Sequence, residues 1–415
     1  MSVKAMDVPE ALGLARPEPE RLRQIVAAAL GTDSGAVRAV TDMTVEKVDY
    51  VIGTPMTHAL LRCRGNADLE RDGESHSSGV QVPWSAFVKV LQSPWAWEHI
   101  DRIPEQFRAD FADNVPWRLE LDAHRPELTA VLPDGLRQPN LYGVVEIDEL
   151  HVAIWMEDVD VSTDRWDLAT FAHAAELLGR LAARRPIGTP AVIEPSPRAA
   201  VPGFTLRYYV NGRVRMGALP DLAGDSLWAH PSVRAAVETT GENHLRDDLL
   251  EAATDLDGWL DVLDTLPQTY CHGDASPQNL LVPSDEPDTF VVIDWSFNSP
   301  LAVGFDLGQL LIGLAHAGEV EVDELPAIVA AILPAYIRGM AAEGFPATPT
   351  EVRTGFILSL IVRGMFTALP VETLEAPTRE PLPGQTAHWI ERILLTRFLL
   401  DLAAEFGHRS GGPLT

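Results

Sequence analysis

The stretch that decides the fold is Cys271-His272-Gly273-Asp274-Ala275-Ser276-Pro277-Gln278-Asn279-Leu280-Leu281, followed by Val291-Val292-Ile293-Asp294-Trp295. An Asp and an Asn five positions apart lie on a loop closed by an apolar pair. A second Asp then ends a Val/Ile strand, fifteen residues after the Asn. Taken singly, Asp, Ser, Pro and Asn are ordinary turn residues. As a set, H-G-D-x-x-x-x-N followed by V-V-I-D has a chemical sense. Carboxylate and amide oxygens are hard ligands suited to magnesium, which keeps water and substrate phosphates in its shell. Phosphoryl transfer needs one carboxylate to accept and aim a hydroxyl, and further oxygens to hold metal over the phosphates.

The motif resembles that of the aminoglycoside phosphotransferase and choline kinase family, small-molecule kinases with the protein-kinase fold. H-G-D-x-x-x-x-N matches in full, and Ile293-Asp294-Trp295 is similar to the family's version of the kinase D-F-G element. The resemblance implies Asp274 as catalytic base, with His272 shaping the loop, and Asn279 and Asp294 as magnesium ligands. Asp306, in Gly304-Phe305-Asp306-Leu307, resembles the Asp that braces the catalytic loop from the following helix; a plain helix cap is the other reading.

Upstream, the chain has the β texture such a fold requires. Val45–Ile52, His58–Arg64 and Val80–Leu91 read as strands, with a polar loop over Gly65–Ser78. Leu141–Ile147 and His151–Met156 read as two more. Lysine occurs only at Lys4, Lys47 and Lys89. Lys89 lies in an apolar strand, where an ammonium needs a partner unless it points to water from an edge. A kinase uses such a cation to hold the α- and β-phosphates, fixed by a helix glutamate. Trp117-Arg118-Leu119-Glu120 resembles the W-R-x-E segment of related sequences, which implies Glu120 as the partner, with Glu127 on the same helical stretch as the alternative. Ile154-Trp155-Met156-Glu157-Asp158-Val159 falls at the expected hinge, where backbone groups of Met156, Glu157 and Asp158 would meet the adenine edge. No G-x-G-x-x-G or G-x-x-x-x-G-K-[ST] occurs. The turn Gly53-Thr54-Pro55-Met56-Thr57-His58 offers Thr54 and Thr57 to phosphate, or is a simple hairpin turn.

Pro19–Leu30 shows helical periodicity ahead of the strands. Trp95–His124 reads as helical, divided by Pro104 and Pro116. From Asp160 onward the character is helical: Asp167–Arg184, Asp247–Leu266, Phe305–Ala317, Glu324–Ala342, Thr350–Leu369 and Thr386–Phe406 are helices, interrupted by a β patch over Thr269–Ile293. Pro186–Arg198 is irregular. The expected fold is α+β and bilobal: residues 1–155 form an N-terminal helix with a β-rich nucleotide-binding lobe, and 156–415 a helical catalytic and substrate-binding lobe.

The 415 residues carry a formal net charge of −28, which disfavours nucleic acid or an anionic membrane as partner. Two cysteines, Cys63 and Cys271, provide neither a disulfide framework nor a cysteine zinc site. The longest apolar runs are broken by Pro, Arg or Gly, and a soluble, cytoplasmic protein is expected. The implied reaction is transfer of the γ-phosphoryl group of Mg-ATP, or Mg-GTP, to a substrate hydroxyl. The resemblance implies an aminoglycoside, a sugar, an amino alcohol or another hydroxylated metabolite as the acceptor. Glu319, Glu321, Asp323 and Glu324 would receive a polycation or form a solvated helix end. A non-catalytic kinase-like nucleotide-binding module is the rival reading; no G-x-S-x-G or H-E-x-x-H supports a hydrolase.

Overall fold

The computed structural model describes residues 10–49, 53–70, 80–189, 198–374 and 380–409. The chain forms an α+β structure of two compact units. The first comprises Met1–Thr129, Arg137–Ser162 and Leu281–Ser296; the second comprises Ala130–Leu136, Thr163–Leu280 and Phe297–Thr415.

In the first unit, α1 (Pro19–Ala29) precedes β1 (Val37–Lys47), β2 (Thr57–Leu69) and β3 (Val80–Gln92). Helices α2 (Glu105–Asn114) and α3 (Leu119–Asp122) lead to β4 (Leu141–Asp148) and β5 (His151–Met156). These five strands make one antiparallel sheet in the order β1-β2-β3-β5-β4. Residues Gly65 to Leu69, expected as loop, extend β2, because each pairs across to β3 up to Leu69 opposite Val80. The rest of that expected loop, residues 71–79, and the end of the first expected strand, residues 50–52, lie outside the described residues.

Side chains alternate across a strand, and β3 uses both faces. Trp84, Ala86, Val88 and Val90 join Leu22, Ile25 and Val26 of α1 in one core, with Leu61, Cys63 and Trp155. Each Val, Leu or Ile of this set contributes about 1.5–3 kcal/mol by leaving water. Phe87 and Leu91 belong to the other face, with Ile154, Met156, Trp117 and Leu121. Burial pushes the Cys63 thiol up to about 12, so it stays a neutral core group.

The second unit is mainly helical: α4 (Leu168–Arg184), α5 (Asp306–Ala317), α6 (Leu325–Ala342), α7 (Pro349–Gly364) and α8 (Pro383–Arg409) are its main helices. Asp167 caps α4, its carboxylate accepting from the Thr170 N–H at 2.8 Å. Helices α4 and α6 pack at glycines: a Cβ on Gly179 would lie 2.3 Å from the Tyr336 carbonyl oxygen, and one on Gly339 2.0 Å from that of Glu176. The helix expected over Glu324–Ala342 is observed as α6, with Pro334 inside it. Val322–Ala342 is consequently long and apolar enough to cross a membrane by length and composition, with a mean hydropathy of 1.6. In this fold Leu325, Ile328, Ile332, Ala335, Tyr336 and Met340 of that helix are buried. The expected helix over Asp247–Leu266 is two, Leu245–Ala252 and Leu256–Thr265, joined by a 3-10 turn. Most of Pro186–Arg198 lies outside the described residues.

Candidate active site

In the first unit the candidate residues gather beneath β3. Alternation puts Lys89 on the face of Phe87 and Leu91, where the ammonium meets Glu120 from α3 and lies 3.7 Å from Asp294 Oδ2. Lys89 and Glu120 are 8% and 7% exposed, which removes the solvated edge-strand reading. Burial works against the ammonium, but the carboxylates of Glu120 and Asp294 outweigh it and hold Lys89 above the ordinary lysine range. Burial pushes the Glu120 carboxyl up, opposed by Lys89. Glu127, the alternative partner, is exposed.

Asp294 adopts φ of 57°, a left-handed conformation rare outside glycine and associated with functional turns. Its Oδ1 accepts from the Ser296 hydroxyl at 2.6 Å. Thr54, Met56, Thr57, Leu91, Pro116, Trp117 and Ser296 line a cleft with Lys89, Glu120 and Asp294; its volume is about 10 Å³, room for a water. Thr57 is buried at the start of β2, and the Thr54 hydroxyl accepts from the Met56 N–H at 3.3 Å.

The expected hinge is tightly held. Met156 ends β5, paired with Phe87 and Leu141. The Glu157 N–H donates to the Asn140 carbonyl at 2.9 Å, so that donor is engaged. The Glu157 carboxylate takes two bonds of 2.8 Å from Arg137, and Asp158 takes one of 2.7 Å from Arg62. The Glu157 and Asp158 side chains at this turn are thus spent on structure.

The second unit holds the H-G-D-x-x-x-x-N loop, which follows a short strand, Gln268–Cys271. Asp306, at the start of α5, accepts from the His272 N–H at 3.1 Å and the Gly273 N–H at 2.7 Å. Of the two readings of Asp306, the brace is the one observed; burial pushes its carboxyl up while His272 and those donors pull it down. His272 is fully buried, and its Nδ1 accepts from the Asp274 N–H at 3.2 Å. Gly273 has φ of 87°, and a Cβ there would fall 2.3 Å from the Phe297 carbonyl oxygen, so the turn admits glycine alone. The Asn279 amide nitrogen donates to the Asp274 carbonyl at 2.8 Å and to Asp274 Oδ2 at 3.3 Å. That orientation leaves the Asn279 carbonyl oxygen as the atom it has to offer a cation.

One residue of this loop's surroundings escaped the sequence reading. Arg363, in the last turn of α7, donates to the Gly273 carbonyl and, at 2.8 Å, to Asp274 Oδ1. Its guanidinium lies 4.4 Å from the Phe297 ring centre, 5.8 Å from that of Tyr209 and 5.9 Å from that of Phe305. The acidic run after α5 has a structural use: Glu321 and Glu324 form a capping box, and Glu324 pairs with Arg165 at 2.5 Å.

Among the described residues no group of three or more His, Cys, Asp or Glu could hold a metal unaided. The Asp294 carboxylate in the first unit and the Asn279 amide oxygen in the second are each hard oxygen donors, a type that suits magnesium.

Residues 139–345 match the model of the phosphotransferase enzyme family, APH. No curated protein sequence matches the chain. Among solved structures, the chain is similar to choline kinase from Cryptosporidium parvum at 10% identity and a TM-score of 0.46, covering 94% of this chain and 96% of that one. An aminoglycoside phosphotransferase from Alicyclobacillus acidocaldarius aligns at 13% identity and a TM-score of 0.44, over 82% of this chain and 93% of that one. A spectinomycin phosphotransferase, solved with ADP and spectinomycin, aligns at 13% identity and a TM-score of 0.41, over 86% and 93% respectively.

Proposed function

Residues 139–345 belong to the phosphotransferase enzyme family, and on that premise we propose that this protein transfers the γ-phosphoryl group of Mg-ATP to the hydroxyl of a small molecule. The observation that carries the proposal is Lys89, a buried ammonium held between Glu120 and Asp294. A cation kept out of water at that expense suits the α- and β-phosphates of a nucleotide. Magnesium, held by Asp294 and Asn279, would supply charge neutralisation to the phosphates.

Asp274 is the base in this reading. It aims the acceptor hydroxyl and takes its proton late, because phosphoryl transfer has a loose transition state and rewards positioning above all. Asp306 and His272 serve it by fixing the loop backbone. Glu120 keeps Lys89 in place, and Thr54 and Thr57 line the wall of the same cleft. Met156, Glu157 and Asp158 present backbone groups to the base of the nucleotide. The acceptor carries hydroxyls: an aminoglycoside, a neutral sugar, an amino alcohol or a related metabolite.

The test is release of ADP from Mg-ATP, and of GDP from Mg-GTP, across a panel of those acceptors plus macrolides. Acceptor-dependent release that disappears in Asp274→Asn supports the proposal and names the substrate class. Absence of release together with absence of Mg-nucleotide binding overturns it in favour of a non-catalytic module.

A further inference from the structure

We infer that Arg363 is a positioning residue for Asp274, fixing its carboxylate so that Oδ2 is the oxygen that receives the acceptor hydroxyl; this rests on the reading of Asp274 as the base. The two nitrogens of one guanidinium fork hold two successive residues, the carbonyl of Gly273 and the carboxylate of Asp274. Two points of attachment restrict both the peptide at 273–274 and rotation of the Asp274 side chain, which a single ammonium cannot do. Oδ1 is committed to Arg363 at 2.8 Å, whereas Oδ2 receives only the longer, 3.3 Å contact from Asn279. Oδ2 is therefore the oxygen with capacity for an incoming hydroxyl.

The surroundings distinguish this pair from a surface ion pair. The Arg363 side chain is 11% exposed, and pairs at the surface contribute little. Here the guanidinium has the face of Phe297 beneath it and Tyr209 and Phe305 close by. Rings in such positions attract a desolvated cation. The Tyr209 hydroxyl also donates to the Arg363 carbonyl at 3.4 Å. Arg363 is thus set by its own neighbours before it sets Asp274.

The experiment compares the full chain with R363M and R363K, with thermal unfolding as the control for folding. Amide hydrogen exchange over residues 271–281 needs no acceptor. In R363M it should quicken about tenfold while the rest of the second unit keeps its protection, with R363K intermediate. Unchanged exchange in that segment overturns the inference, as does a uniform rise through the unit with a lowered melting temperature. Turnover of Mg-ATP with an active acceptor should fall about 100-fold in kcat. KM for Mg-ATP should stay within about twofold. R363K, or guanidinium ion added to R363M, should restore part of kcat. Undiminished kcat, or a loss confined to KM, overturns the inference. If wild type binds no nucleotide and turns over no acceptor, it is the kinase reading that fails, and the exchange result still decides whether Arg363 holds the loop.

Discussion

Lys89 and Glu120 meet inside the first unit, one from β3 and the other from the short helix that follows Trp117. Removing one partner of a buried pair strands the other charge, at a cost of about 3–5 kcal/mol. Glu120→Gln and Lys89→Met should each lower stability by an amount of that order, and the double variant by less than the sum. Chemical denaturation of the four proteins measures the coupling; strict additivity would mean that the two charges do not depend on one another.

Asp274 and Asp294 should separate in kinetics. Asp274→Asn keeps the shape of the loop but loses the base, so turnover falls by about 10²–10⁴ while Mg-nucleotide binding holds. Asp294→Ala should instead weaken Mg-nucleotide binding and alter its magnesium dependence. Titration calorimetry with Mg-ATP alongside turnover gives both readings; equal loss of binding and turnover in Asp274→Asn would contradict its role.

Two histidines make the fold sensitive to acid. Burial lowers His316 to about 3, helped by Arg392 and Arg363, and lowers His124 to about 4. The unfolded imidazole titrates near 6.5, so between that pH and the folded values the unfolded chain binds more protons. Stability is therefore full above about pH 6.5 and declines as pH falls, by roughly 2 kcal/mol for each imidazole at pH 5. Denaturant midpoints from pH 7.5 to 5 should fall, and less steeply in His316→Gln. An unchanged slope in that variant would show that His316 is accessible to protons in the folded state.

Gly339→Leu should unfold or strongly destabilise the second unit, because even a Cβ there meets the Glu176 carbonyl oxygen. Overpacking of this kind costs about 1–3 kcal/mol where neighbours yield, and backbone atoms yield poorly. A melting temperature equal to wild type would show that α4 and α6 can move apart at no cost.

The order of strands and helices was legible because the first unit keeps a period of two and the second a period near 3.6 residues. The H-G-D-x-x-x-x-N loop was legible because its residues are close in sequence, and Glu120 because Trp117–Glu120 resembles the W-R-x-E segment of related sequences. Arg363 was not, since it contacts Asp274 across 89 residues of chain and sits in the mainly apolar second half of α7. The helix over Glu324–Ala342 was legible, and it runs through Pro334 as α6. The length of β2 was misread: Gly65, Asn66 and Asp68 are turn-forming residues individually, but β3 supplies a partner for each.

Helix α1 has a consequence for handling the protein. It is the lid on the back of the sheet, over Leu61, Trp84, Val88 and Trp155. A chain shortened to begin beyond Gly31 would still carry every residue singled out for nucleotide and acceptor. It would also present a sticky apolar sheet to its neighbours, and self-association would set in before loss of chemistry could be observed.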